Sequence, residues 1–270
     1  MQYVPLVIEA DQDEPGCAEV LVDGTISGRP FRFMLDTGAA RTQVVADEAI
    51  AALPSQAQHE SSGVFAPSSN SLVTIHDLRI GPLAVPALEA ARIAAAQPGG
   101  CSLLGMDVLG RQCCHFRFGT GQLTLQHSPA GQASLPLEIG DHGHAYLDVH
   151  WPGITARACF DTGAGITLVS QDFLRAHPRL FTTAGTSTGT DGSGAQVQTA
   201  TFVMTGAHIG DALFAPHKAA ATDLSHLSDQ AAQPADLILG YPTLRQADWL
   251  LDFPARRWAL TRQPSSHRGG

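Results

Sequence analysis

Residues 32–44 read RFMLDTGAARTQV, and residues 157–169 read RACFDTGAGITLV. Asp-Thr-Gly-Ala therefore stands twice, 125 residues apart. Before the first copy, Phe31, Phe33 and Leu35 fall on one face of an extended strand, and Arg32, Met34 and Asp36 on the other. The run ARACF before Asp161 alternates in the same way. Each aspartate is expected at a strand end, facing away from the bulkiest apolar side chains. A single Asp-Thr-Gly is weak evidence, because Asp and Gly mark turns for conformational reasons. Two copies at matched positions are not explained by turn preference.

The matches extend outward from the two triplets. VPLVI (4–8) answers LPLEI (135–139), Arg32 answers Arg157, and RIGPLAVP (79–86) answers HIGDALFAP (208–216). SLLGMDVL (102–109) answers LILGYPTL (237–244), and FRFGTGQLTL (116–125) answers LDFPARRWAL (251–260), both at an offset of 135. The added residues lie in the middle of each half, where loops tolerate them. The sequence reads as a duplication, with domains at 1–130 and 131–270 joined through HSPAGQAS (127–134).

Composition agrees with an all-β chain. Its 270 residues are 44% hydrophobic and 15% charged, with 27 glycines and 17 prolines, which excludes a disordered or coiled-coil chain and implies many turns. Helix is expected only at 47–53, 170–177 and after each Leu-Gly. The net charge of −9, with no Lys/Arg cluster, excludes nucleic acid as partner. No apolar run reaches the roughly 18 residues of a membrane span, and MQYVPLVIEADQDEPG lacks the features of a signal peptide. A soluble chain is expected, leaning to the cytoplasm, with a mature periplasmic or secreted form left open. The five cysteines show no C-x-x-C spacing and are expected as reduced thiols.

The paired motifs LDTGA and FDTGA, each followed by a Gly- or Ser-rich stretch and then by LLG (103–105) or ILG (238–240), resemble the aspartic proteases of the retropepsin and pepsin group. More closely, the chain resembles two retropepsin-like lobes fused into one. The resemblance implies a bilobal fold of two β-barrel-like lobes related by a pseudo-twofold axis, with little helix. It implies an aspartic endopeptidase acting on polypeptides as a monomer, without cofactor or metal. Asp36 and Asp161 would be the catalytic pair, one carboxylate taking a proton from water while the other carboxyl group donates one. Thr37 and Thr162 would cross-link the two active-site loops, and Gly38 and Gly163 would admit backbone N–H groups to the carboxylates. Ala39 and Ala164 stand where pepsin-like enzymes carry Ser or Thr, so fewer hydroxyl donors reach the carboxylates and a mildly acidic optimum of roughly pH 5–6 is expected.

TSTGTDGSGAQVQTATF (186–202) reads as a flap hairpin with its tip at Asp191, Gly192, Ser193 and Gly194. Its first-half counterpart, SSGVFAPSSNSLVTI (61–75), places a tip at Gly63, Val64 and Phe65. Retropepsin-like lobes would be joined by a sheet, here expected from Val4 to Ile8, Leu123 to Gln126, Leu135 to Ile139 and Trp258 to Arg262. Arg41 is either a reader of acidic substrate side chains or a solvated surface cation. His142 and His144, with Asp141, Asp148 and His150 nearby, form a conceivable zinc cluster that chain reversal into an exposed strand explains equally well. The alternative from another class is a catalytically silent peptide-binding module on the same fold. Against it, both Asp-Thr-Gly-Ala units are complete.

Overall fold

The computed structural model describes residues 3–62, 67–95, 100–126, 133–190, 196–225 and 234–264. The architecture is all-β, in several large sheets, with helices of a turn or two. In one sheet the neighbours run Val7–Ala10, Ala18–Ile26, Arg29–Leu35, Leu103–Leu104, Gln43–Val45, Leu83–Ile93, Pro67–Ile80 and Ala57–Ser62. In a second, Glu138–Ile139, Ala145–Trp151, Ile154–Phe160, Leu237–Leu239, Thr167–Ser170, His217–Thr222, Gln196–Met204 and Phe181–Thr190 repeat that order. The second sheet adds the hairpin Ala207–Ile209 with Ala212–Phe214 beside Ala145–Trp151.

Local sequence accounts for the strands that lead to the aspartates. Ala18–Ile26 and Arg29–Leu35 pair through the two-residue turn Ser27-Gly28, both residues at positive φ (49° and 76°), the turn whose twist matches paired strands. The alternation read from the sequence is present: Phe33 and Leu35 are fully buried in the main core. Met34, on the opposite face, packs in a small cluster with Leu21 and Leu103. Two parallel pairings then bring distant segments together. Met34 and Leu35 lie beside Leu103 and Leu104, and Cys159 and Phe160 lie beside Ile238 and Leu239.

A third sheet takes strands from both halves, in the order Val4–Pro5, Gln122–Gln126, Cys113–Arg117, Asp248–Asp252, Arg257–Arg262, Leu135–Pro136. At its centre Cys113–Arg117 and Asp248–Asp252 run antiparallel, with His115 opposite Leu250, Cys113 opposite Asp252 and Arg117 opposite Asp248. Moving by the 135-residue offset maps this pairing onto itself, so a pseudo-twofold axis passes through the His115–Leu250 pair. The four strands expected from the sequence are present, but the two central ones were not foreseen. Two boundaries also differ. The chain turns inward at the buried Leu6 and Leu137, so Val7–Ala10 and Glu138–Ile139 leave this sheet for the other two.

One hydrophobic core spans both halves. At its middle Phe160 stands 5.9 Å from Phe116 and 5.2 Å from Trp249, and Trp249 stands 5.8 Å from Trp258 and 5.5 Å from Phe214. The Trp249 indole N–H donates to the Leu244 carbonyl at 2.8 Å, so its one polar atom is satisfied although no part of the residue reaches water. The helices Glu48–Ala51, Met106–Leu109, Gln171–Ala176 and Tyr241–Leu244 lie where expected. Asp47 and Ser170 cap the first and third by accepting from the N–H of Ile50 and Phe173. Among the described residues no helix is long and apolar enough to cross a membrane. None of the five cysteines is in a disulfide.

Candidate active site

Asp36 and Asp161 each follow the last residue of a strand, Leu35 and Phe160. The loops beyond them are tied at both ends to the segment around each Leu-Gly. Asp36 N–H donates to Leu104 O at 3.0 Å, and Met106 N–H to Ala39 O at 2.8 Å. In the second half, Asp161 N–H donates to Leu239 O at 3.2 Å and Tyr241 N–H to Ala164 O at 2.8 Å. Packing this close requires glycine at the crossing. A Cβ at Gly105 would meet the Arg41 carbonyl carbon at 2.5 Å, and one at Gly240 the Ile166 carbonyl oxygen at 2.3 Å.

The two loops also clasp each other. Thr37 N–H donates to Thr162 Oγ1 at 3.2 Å, and Thr162 N–H to Thr37 Oγ1 at 3.1 Å. The Thr37 hydroxyl donates onward to the Phe160 carbonyl at 2.8 Å. Thr162 is not a mirror image, since its hydroxyl is directed to Thr37 Oγ1 at 3.5 Å. Both threonines are buried, so these bonds satisfy groups that would otherwise be costly to remove from water.

With the loops clasped, the two carboxyl groups lie close enough to act on each other electrostatically. Gly38 N–H donates to Asp36 Oδ1 at 3.0 Å, and Gly163 N–H to Asp161 Oδ1 at 2.8 Å. Each glycine also makes room for the opposite carboxylate. A Cβ on Gly38 would lie 2.4 Å from Asp161 Oδ2, and one on Gly163 2.5 Å from Asp36 Cγ. Both aspartates remain partly exposed, so water can reach the pair.

Burial raises the pKa of both aspartates. The Asp161 charge adds to the rise at Asp36, which is pushed well above the ordinary carboxylate range, while N–H donation from Gly38 and Ala39 opposes it. At Asp161 burial is opposed by the Gly163 N–H and by the nearby His144. The site can hold one proton between two carboxyl groups that titrate as a pair.

Beneath each loop lies a polar support that the sequence did not announce. In the first half Asp107 accepts from Thr42 N–H at 3.0 Å and from the Thr42 hydroxyl at 2.7 Å, and Thr42 Oγ1 accepts from Gly105 N–H at 3.1 Å. In the second half Thr167 occupies the place of Thr42, and a histidine network replaces the carboxylate. The signal available was Thr42 and Thr167 at the same 125-residue offset as the aspartates. Asp107 and His217 have no counterpart that alignment of the halves would reveal.

Other sequence candidates are placed differently. Arg41 is a partly exposed surface cation whose guanidinium pairs with Glu89 Oε1 at 2.8 Å. The rings of His142 and His144 lie 6.3 Å apart. No group of three or more His, Cys, Asp or Glu side chains converges as metal ligands among the described residues. The flap candidates Gly63, Val64, Phe65, Asp191, Gly192, Ser193 and Gly194 lie outside the described residues. The strands on either side of them pair, Ala57–Ser62 with Pro67–Ile80 and Phe181–Thr190 with Gln196–Met204.

Residues 22–111 match the family model described as "gag-polyprotein putative aspartyl protease". The matched third of the chain contains the Asp36 loop, Thr42, Gly105 and Asp107. Curated proteins give no match to the chain. A protease of the hydrolase class is supported at this coarse level, with a polypeptide as the substrate class the family implies. Residues 22–111, with the Asp36 loop near their start, are thus similar to aspartyl proteases of the retropepsin type.

Proposed function

We propose that the chain is a single-chain aspartic endopeptidase, built by duplication into lobes 1–130 and 131–270, in which Asp36 and Asp161 activate one water against a peptide bond. The observation that carries this reading is the mutual seating of the carboxyl groups, each against the glycine of the other's loop. Two carboxylates this close do not both ionise cheaply, so they share a proton. One carboxyl of the pair holds that proton while the other is ionised. The ionised carboxylate takes a proton from water as the water oxygen bonds to the carbonyl carbon, and the protonated carboxyl gives its proton to the carbonyl oxygen. Collapse of the tetrahedral intermediate breaks the C–N bond, with a proton passing to the leaving nitrogen. Thr37, Gly38, Ala39, Thr162, Gly163 and Ala164 hold this geometry. The enzyme acts as a monomer and needs no cofactor.

The test is cleavage of an unstructured peptide library between about pH 3 and 8, comparing the wild type with Asp36→Asn and Asp161→Asn. The expected result is an optimum near about pH 5–6 and a loss of roughly a thousandfold or more in each variant. Undiminished activity in either variant would overturn the mechanism. Peptide binding without cleavage by the wild type would favour the silent binding module.

A further inference from the structure

His217 begins the strand His217–Thr222 and lies beneath the Asp161 loop, at the end of an ordered chain of hydrogen bonds. Gly240 N–H lies 3.3 Å from Thr167 Oγ1, Thr167 Oγ1 lies 2.8 Å from Thr243 Oγ1, and Thr243 Oγ1 lies 2.7 Å from His217 Nε2. At the other side of the ring, Nδ1 lies 2.9 Å from Ala215 O. Thr167 and Thr243 are fully buried.

Donor counting fixes the direction of this chain. Gly240 N–H can only donate, and each hydroxyl has one hydrogen to place. With His217 neutral and its proton on Nδ1, the Thr167 hydroxyl donates to Thr243, the Thr243 hydroxyl donates to Nε2, and Nδ1–H donates to Ala215 O, while the Gln246 amide nitrogen, 3.2 Å from Nδ1, places its two hydrogens on Ala215 O and Pro242 O. Every group is satisfied. A proton on Nε2 reverses both hydroxyls, and the Thr167 hydrogen is then left without an acceptor in a site closed to water. The corresponding acceptor in the first half is the Asp107 carboxylate, which stays an acceptor once ionised.

The far end of the chain is joined to the proposed reacting groups. Thr167 directly follows the Asp161 loop, and Gly240 packs against the carbonyl oxygens of Ile166 and Ala164. We propose that His217 is a positioning residue for the Asp161 loop, acting as a neutral imidazole through Thr243, Thr167 and Gly240, so that its protonation loosens the loop and sets the acid limit of activity. This rests on reading Asp161 as half of the dyad. The surroundings favour the neutral ring. Burial comes first, with the Arg245 guanidinium as the facing charge, and together they hold His217 below the usual histidine range. Gln246 beside it is neutral, Lys218 next along the strand is paired with Glu14, and Met204 stands opposite on Gln196–Met204.

Two readouts test the proposal. Long-range nitrogen–proton correlation spectra of the full chain should place the neutral proton on Nδ1 of His217. As that ring titrates, the Gly240 amide should exchange with solvent about tenfold faster. In His217→Gln, whose amide oxygen accepts from Thr243 without titrating, the exchange step should vanish. The acid limb of kcat should move to lower pH, with KM and the alkaline limb unchanged. A neutral Nε2–H ring, Gly240 exchange that stays flat through the titration, or an acid limb shared by wild type and variant would overturn it. If the wild type cleaves nothing, the protease reading fails on its own, and exchange at Gly240 still decides the hydrogen-bond relay. If the variant does not fold, the wild-type titration of ring and amide decides between the same two outcomes.

Discussion

The Asp36–Asp161 pair puts its ionisation in opposition to folding. Burial raises both carboxyls above their value of 3.8 in the unfolded chain, the Asp161 charge adding to the rise at Asp36, so the proton-bound pair is favoured by folding. The stability this contributes is complete below the unfolded value and is lost as pH rises through the raised folded values. Asp36→Asn removes the second charge. The variant should melt above the wild type at pH near 7, by about 2–4 °C for each kcal/mol recovered, with the gap closing toward pH near 4. Calorimetry at the two pH values checks this, and a gap that widens in acid would contradict the shared-proton assignment. The partly buried His59, His115 and His217 have the opposite sign. Burial lowers each below its unfolded 6.5, so their contribution is complete above that value and is lost as pH falls below it. Acid therefore relieves the carboxyl pair while straining the histidines, and the most stable pH lies between the two effects.

At the scale of the elements, each active-site loop depends on one crossing that only glycine permits. In Gly240→Ala the new methyl would have to displace the Ile166 and Ala164 carbonyls, which belong to the loop that holds Asp161. A cost of about 1–3 kcal/mol is expected, measured as a lower denaturation midpoint, together with loss of peptide cleavage. Gly153→Ala is the contrast: its methyl meets nothing within 4 Å, and its penalty comes only from the positive φ of 74°. It should lose about 1–2 kcal/mol and keep its activity. These crossings also mark how much the sequence disclosed. The alternation in FRFML and ARACF, the repeated Asp-Thr-Gly-Ala and the repeated Leu-Gly were sufficient to place the strands, the short helices and the segments that meet. The central pair Cys113–Arg117 and Asp248–Asp252 was not legible, because Asp248–Asp252 is buried along its whole length and loses the period-two pattern, and its pairing with Cys113–Arg117 joins segments 135 residues apart. Asp107 and His217 were not legible either, since each acts on a threonine distant in sequence and on a different residue type in each half.

Across the whole molecule, the core does not divide where the sequence does. Phe116 from the first half and Phe160, Trp249 and Trp258 from the second pack as one aromatic group beneath the shared sheet. Unfolding should be a single transition with equal calorimetric and van't Hoff enthalpies, and two separated transitions would show that the halves are independent. Trp249→Leu should lower that one transition, by about 3 kcal/mol, instead of splitting it. The ends of the shared sheet are Val4–Pro5 and Leu135–Pro136. A proline at each edge removes an N–H from the open row, which discourages addition of a further strand. The middle of the sheet has a different exposure, in time. Val4–Pro5, Gln122–Gln126 and Cys113–Arg117 are all made early, whereas Asp248–Asp252, the partner of Cys113–Arg117, is made near the end. At about 5–20 residues per second, a chain emerging from the ribosome would carry that central strand unpaired for roughly 7–26 s. Translation speed across the second half thus becomes a determinant of yield, because the edge that a nascent chain must keep from its neighbours is the one the finished protein hides most deeply.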